Sequence, residues 1–267
     1  MTVTTRKLTR AAGIAAAAAG AVQPSPAVDQ ATGHPAGQPV PRSRAHRDRS
    51  RSWPVPAALL ALSVIPVAAG TLRLIQLAGG PAIIPADHRF AGFPAALIVH
   101  IVGATVYAVV GTFQFIPRFR RRHRDWHRRV GRVLAVAGLM VAASALWMTL
   151  FYQPQRGTGD LLYVLRLIFG SAMAASLVLG VTAARRRNIA AHRAWMIRAY
   201  AIGLAAGMQV VTEGVGGAIF GTGELRGDLA KGAAWVINLA IAEWAIRRPA
   251  RRRRALRTAS QHAGALS

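Results

Sequence analysis

Apolar positions in this chain fall into long blocks separated by short polar stretches. Six blocks recur after Trp53, at about Pro54–Ala78, Phe93–Ile116, Val130–Tyr152, Leu161–Ala183, Ala194–Ile219 and Leu229–Ile246. A helix rises 1.5 Å per residue, so roughly 20 apolar residues cross ~30 Å of hydrocarbon. Each block is of that order; the sixth is the shortest. The pattern predicts an all-α, polytopic membrane bundle of six transmembrane helices. The second to fifth are expected to form its core, and the first and sixth to flank or close it. Pro66 is expected to kink the first. Residues 53–248 are the expected transmembrane domain. Residues 1–52 and 249–267, basic and poor in large apolar residues, are expected to be disordered tails.

Charge supplies the orientation. The chain has 267 residues, is 53% apolar and carries a formal charge of +25. An apolar majority beside so large a basic excess suits a membrane protein whose charge is confined to loops and tails. Eight basic residues lie in 1–53, eight in 116–132, five in 184–198 and seven in 246–267. The alternate loops 79–92, 152–160 and 219–231 carry four, offset by Asp87, Asp160, Glu224 and Asp228. This alternation predicts cytoplasmic N- and C-termini, and an even number of spans agrees. All but two of the 34 basic residues are arginine, beside abundant alanine, which suggests a high-GC bacterial source and a multi-pass protein of the cytoplasmic membrane.

The start of the chain imitates a secretion signal, with Arg6, Lys7 and Arg10 before Ala15–Ala19. Cleavage there would put Arg42–Arg51 outside and invert every later loop, so a cytoplasmic tail is the expectation. Nucleic acid is not the expected partner, because each basic block abuts a helix end and no nucleic-acid-binding motif accompanies it. Anionic phospholipids are, at about 1 kcal/mol per arginine near the surface. There is no cysteine, which excludes disulfides, thiol catalysis and thiolate-bound metals.

Two arginine runs each lead through a His-Arg pair into an apolar block. The first is Arg118–Arg122 followed by His127-Arg128-Arg129-Val130-Gly131-Arg132. The second is Arg185–Arg187 followed by His192-Arg193-Ala194-Trp195-Met196-Ile197-Arg198. With Gly111-Thr112-Phe113-Gln114-Phe115 closing the second block, the order resembles the bacterial membrane family catalogued as domain of unknown function 2306. The resemblance covers roughly residues 93–246. It implies a multi-helix membrane protein and carries no activity with it.

Ionisable groups inside hydrocarbon are costly and usually face a bundle interior or a water-filled cavity. Counting residues from the expected ends puts His100, Arg73, Arg166 and Glu213 at one level near the outer leaflet. An ion pair of Glu213 with Arg166 or Arg73 would fix helix order; the same groups would also suit a proton or substrate path of a proton-coupled carrier. At the inner face, Gln114, His127, His192, Trp195, Arg198 and Glu243 share a depth. His127 and His192 hold equivalent places in the two units and would serve as axial ligands of one haem b, in a membrane redox or quinone-interacting protein. In that arrangement Gln114 and Glu243 would contact the propionates and Arg198 would neutralise them. The alternative is that both histidines are interfacial residues packed beside tryptophan, in a non-catalytic membrane component. His123-x-x-x-His127 has metal-binding spacing, but eight arginines and one acid between Arg118 and Arg132 would repel a divalent cation, so no metal site beyond haem iron is expected.

Overall fold

The computed structural model describes residues 54–264, and among them every regular element is helical. Helix α1 spans Pro54–Leu77 and runs on through Pro66. A 3₁₀ turn at His88–Phe90 precedes α2, Ala95–Gln114. The short α3, Pro117–Arg122, leads into α4, Arg124–Phe151. Then come α5 (Asp160–Arg185), α6 (Ile189–Gly203), α7 (Ala205–Phe220) and α8 (Glu224–Gly264). Five helices, α1, α2, α4, α5 and α8, are long and apolar enough to cross a membrane, and α6 with α7 makes a sixth if the bent pair counts as one span.

Helices α2, α4, α5 and α6 pack as a four-helix core: α4 lies against α2 and α5, α6 against α5 and α2. Helix α1 covers α2 and α7, and α8 covers α5, α6 and α7. Small residues let the core backbones approach, as lipid-embedded bundles require. Gly138 on α4 faces Tyr107 and Leu177; Gly111 on α2 faces the Tyr200 ring. Around them Tyr107, Leu134, Val141, Met173, Leu177, Tyr200 and Ile202 form one buried cluster. Val136, Trp147, Phe151, Ile168 and Ile241 stay exposed, an apolar exterior suited to lipid.

Three boundaries differ from the sequence expectation. The fifth apolar block is not one straight helix: it breaks at Leu204, and its halves meet at 48°. The cause is tertiary, since Gly207, one turn past the break, presses against the Leu62 carbonyl of α1, where no side chain has room. The last helix starts at Glu224, a turn before the expected Leu229, and continues to Gly264 through residues expected to be unstructured. Its alanine and arginine content favours helix even beyond the apolar block. The arginine run after α2 is also partly helical, as α3, with Pro117 in its first turn. The N-terminal tail lies outside the described residues.

Candidate functional site

Three of the residues expected at the inner face are delivered by helix ends. Gln114 is the last residue of α2, and His127 lies in the first turn of α4. Their side chains meet through His127 Nδ1 and Gln114 Oε1. His192 occupies the first turn of α6, which is placed by a tight reversal. Arg187 takes a left-handed conformation (φ 58°), and the Asn188 side chain then caps α6 by accepting from Ala191 N at 3.0 Å. This aims His192 back at α5, where its Nδ1 lies 2.9 Å from the Gly180 carbonyl.

Both contacts fix a tautomer. A carbonyl oxygen only accepts, so each Nδ1 carries a hydrogen and donates it, and Nε2 is the ring nitrogen left for another partner. The same partners settle ring orientation. The two rings lie close enough for a charge on one to act on the other.

The surrounding residues are tied down. Arg198 Nε donates to Glu243 Oε1 at 2.5 Å, its guanidinium stacks 4.8 Å from the Trp195 ring, and Glu243 Oε2 also meets Arg247 Nε at 3.4 Å. Arg198 and Glu243 are therefore paired with each other. An aromatic group adjoins them: Phe115 packs on Tyr200 with centroids 4.7 Å apart, and Tyr107 at 5.5 Å. The Tyr200 hydroxyl donates to Ala108 O at 2.6 Å and lies 2.9 Å from the Thr112 hydroxyl. Gln114 Nε2 is buried and has no hydrogen-bond partner.

The outer cluster assembles differently from expectation. Glu213 pairs with Lys231 at 2.9 Å, not with Arg166 or Arg73. Lys231 lies on α8, at the start of the sixth expected block, where α8 packs against α7. Arg73 donates to Gln76 on its own helix at 2.5 Å. His100 turns to α4, with Nδ1 3.2 Å from Val141 O and 3.1 Å from Ser144 Oγ. Arg166 remains near Glu213 and also near Asp228, close enough to feel both charges.

Asp228 is the residue that sequence reasoning missed. It is 1% exposed, and its Oδ2 accepts from the amides of Gly159 and Leu162, both at 3.0 Å. A carboxylate of α8 thus caps the N-terminus of α5, which its own N-cap Gly159 cannot do with a side chain. Its Oδ1 is buried without a partner. The helical spacing Glu224-x-x-x-Asp228-x-x-Lys231 was the available signal, obscured because a loop was expected there.

Residues 97–246 match the family described as "Predicted membrane protein (DUF2306)". The chain belongs to this family. The match spans α2 to α8, so it takes in the whole four-helix core and both histidine units. No curated protein and no solved structure matches the chain. The family places it as an integral membrane protein; the inner-face geometry is what bears on its chemistry.

Proposed function

We propose that this DUF2306 protein is a membrane redox component that binds haem b between His127 and His192 at the cytoplasmic end of the core. The observation that carries the proposal is the paired anchoring of the two Nδ1 atoms. Histidines that ligate metals almost always donate their other N–H to a carbonyl or carboxylate, which orients the ring and raises the basicity of the ligating nitrogen. Here both do, to Gln114 Oε1 and Gly180 O, from first turns of two core helices, with both Nε2 lone pairs available. The Phe115–Tyr200 pair supplies apolar surface next to Gln114. When bound, haem would supply one-electron exchange; the chain's residues hold the imidazoles and set the local charge. A cytoplasmic position for this end follows from the basic loops that flank it.

The test is haem titration of purified protein, followed by the Soret band. Wild type is expected to bind one haem, and His127→Ala and His192→Ala each to lose it, while Gln114→Ala weakens binding by about tenfold, the usual scale for an outer-shell partner. No haem uptake by wild type, or uptake unchanged in both histidine variants, overturns the proposal.

A specific observation also favours a second occupant of the same class, a quinone headgroup. The buried Gln114 Nε2 lacks an acceptor, and a quinone carbonyl provides one beside the His127 ring. A quinone dependent on Gln114 in protein that takes up no haem would select this occupant.

A further inference from the structure

We propose that α7 is a hinged arm: it pivots at Leu204 and is latched against α8 by the Glu213–Lys231 pair, so that its release opens the seam between the two helices. The arm is anchored at one end. Its buried residues are Ala205 and Gly207, both in the first turn, where Gly207 presses on the Leu62 carbonyl. From Val210 to Phe220 every residue except Thr212 and Gly216 is exposed. Gly216 faces Ala230 of α8, while Gly214 and Gly217 have nothing within 4 Å of the position a side chain would take. Local motion is expected where few groups are buried and contacts are sparse. Lipid tails are as apolar as the side chains α7 turns toward α8, so parting the helices costs little hydrophobic free energy. What holds the arm is packing at the pivot and the ion pair of Glu213 with Lys231 at 2.9 Å.

The parts on either side of the arm are fixed. Helix α6 ends in the buried residues Ala199, Tyr200 and Ile202, and Leu204 at the break is buried too. Asn238 of α8, itself 7% exposed, donates from Nδ2 to the Ala201 carbonyl at 3.0 Å. That carbonyl lies in the last turn of α6, where a helix end leaves acceptors without helical partners. Helix α8 is also tied to α5, through Asp228 and the amides of Gly159 and Leu162. Movement therefore falls between α7 and the α5–α8 pair, and the 48° bend at Leu204 is where the backbone already departs from a straight helix. Separation uncovers the Lys231 side chain, 17% exposed while it is paired with Glu213. The arm and its latch share no residue with the histidine site, so this device does not depend on haem.

Double electron–electron resonance on the full chain in lipid nanodiscs tests the arm, and no native cysteine interferes with labelling. One labelled pair, Val164→Cys with Ala218→Cys, runs from α5 to the arm. The other, Val164→Cys with Val236→Cys, runs from α5 to α8. All three positions are exposed. The α8 pair is expected to give one distance and the arm pair two. Glu213→Ala and Lys231→Met are each expected to raise the longer arm population relative to the shorter by about threefold to fivefold, the weight of one partly exposed ion pair. An unchanged α8 pair shows that each variant is folded. Gly214→Ala with Gly217→Ala, added to Glu213→Ala, stiffens α7 without a clash. The longer population is expected to persist there, as a rigid swing requires. Its disappearance would mean that α7 unravels rather than pivots, and would overturn the hinge. A single arm distance in wild type and in both latch variants, a shift in only one of them, or equal broadening of the two labelled pairs also overturns the proposal.

Discussion

At the residue scale, the tightest constraint is at Gly207. A methyl added there meets the Leu62 carbonyl, a backbone atom that cannot rotate away. Gly214 on the same helix has nothing within 4 Å of the equivalent position. Gly207→Ala is therefore expected to destabilise by about 1–3 kcal/mol, the scale of overpacking. Gly214→Ala is expected to be neutral or to stabilise by up to about 1 kcal/mol through helix propensity. Thermal unfolding in detergent compares the two; equal melting temperatures would refute the close approach. Asp228→Ala strands the amides of Gly159 and Leu162 and is expected to cost about 1–3 kcal/mol.

Asp87 gives a pH dependence. The Arg89 side chain donates to its carboxylate at 2.8 and 2.5 Å, and this bond, foremost among the causes, holds Asp87 below the ordinary aspartate value of 3.8. A depressed carboxylate stabilises the fold above its unfolded value and ceases to do so as pH falls through the folded one. The 79–92 loop is thus expected to hold its native order at neutral pH and to loosen progressively below about pH 4. Hydrogen exchange at Arg89 and Phe90 measures this, and Asp87→Asn should show the loosened state already at pH 7.

At the scale of elements, the sequence revealed most where hydropathy alone decides. The cores of the six blocks reappear in helices because lipid solvates any apolar stretch of that length. Three features were hidden because tertiary contacts decide them. The break at Leu204 depends on α1 approaching Gly207. The capping of α5 depends on Asp228, 66 residues away from Leu162. The Glu213 partner depends on α8 packing against α7. That partner is testable. Glu213→Ala leaves Lys231 uncompensated and is expected to cost on the order of 1–2 kcal/mol, less than a fully buried pair because Glu213 is 41% exposed. Lys231→Met added to it should recover most of the loss in melting temperature. Recovery by Arg166→Met instead would reassign the pair.

At the scale of the whole molecule, depth counting groups residues by level, since every helix meets the same two surfaces. Which of them touch was not visible. Gln114 reaches His127 and Arg198 reaches Glu243, while His192 turns to a backbone carbonyl that no side-chain pattern announces. The arginine asymmetry proposes an orientation across the bilayer, with the basic loops cytoplasmic. Cysteines placed at Ala86, Thr158 and Thr222 are expected to react with an impermeant thiol reagent in intact cells, and one at Arg187 is expected not to. The native chain has no cysteine to add background.

The central claim concerns two imidazoles on one iron, and electron paramagnetic resonance of the purified ferric protein addresses it most directly. Two nitrogen ligands with strong fields give a low-spin ferric signal, whereas loss of one leaves the iron high-spin or unbound. The expected result is a low-spin spectrum in wild type that turns high-spin or vanishes in both His127→Ala and His192→Ala. A wild-type protein from haem-replete cells with no haem signal, or a low-spin signal that survives both substitutions, would contradict the account.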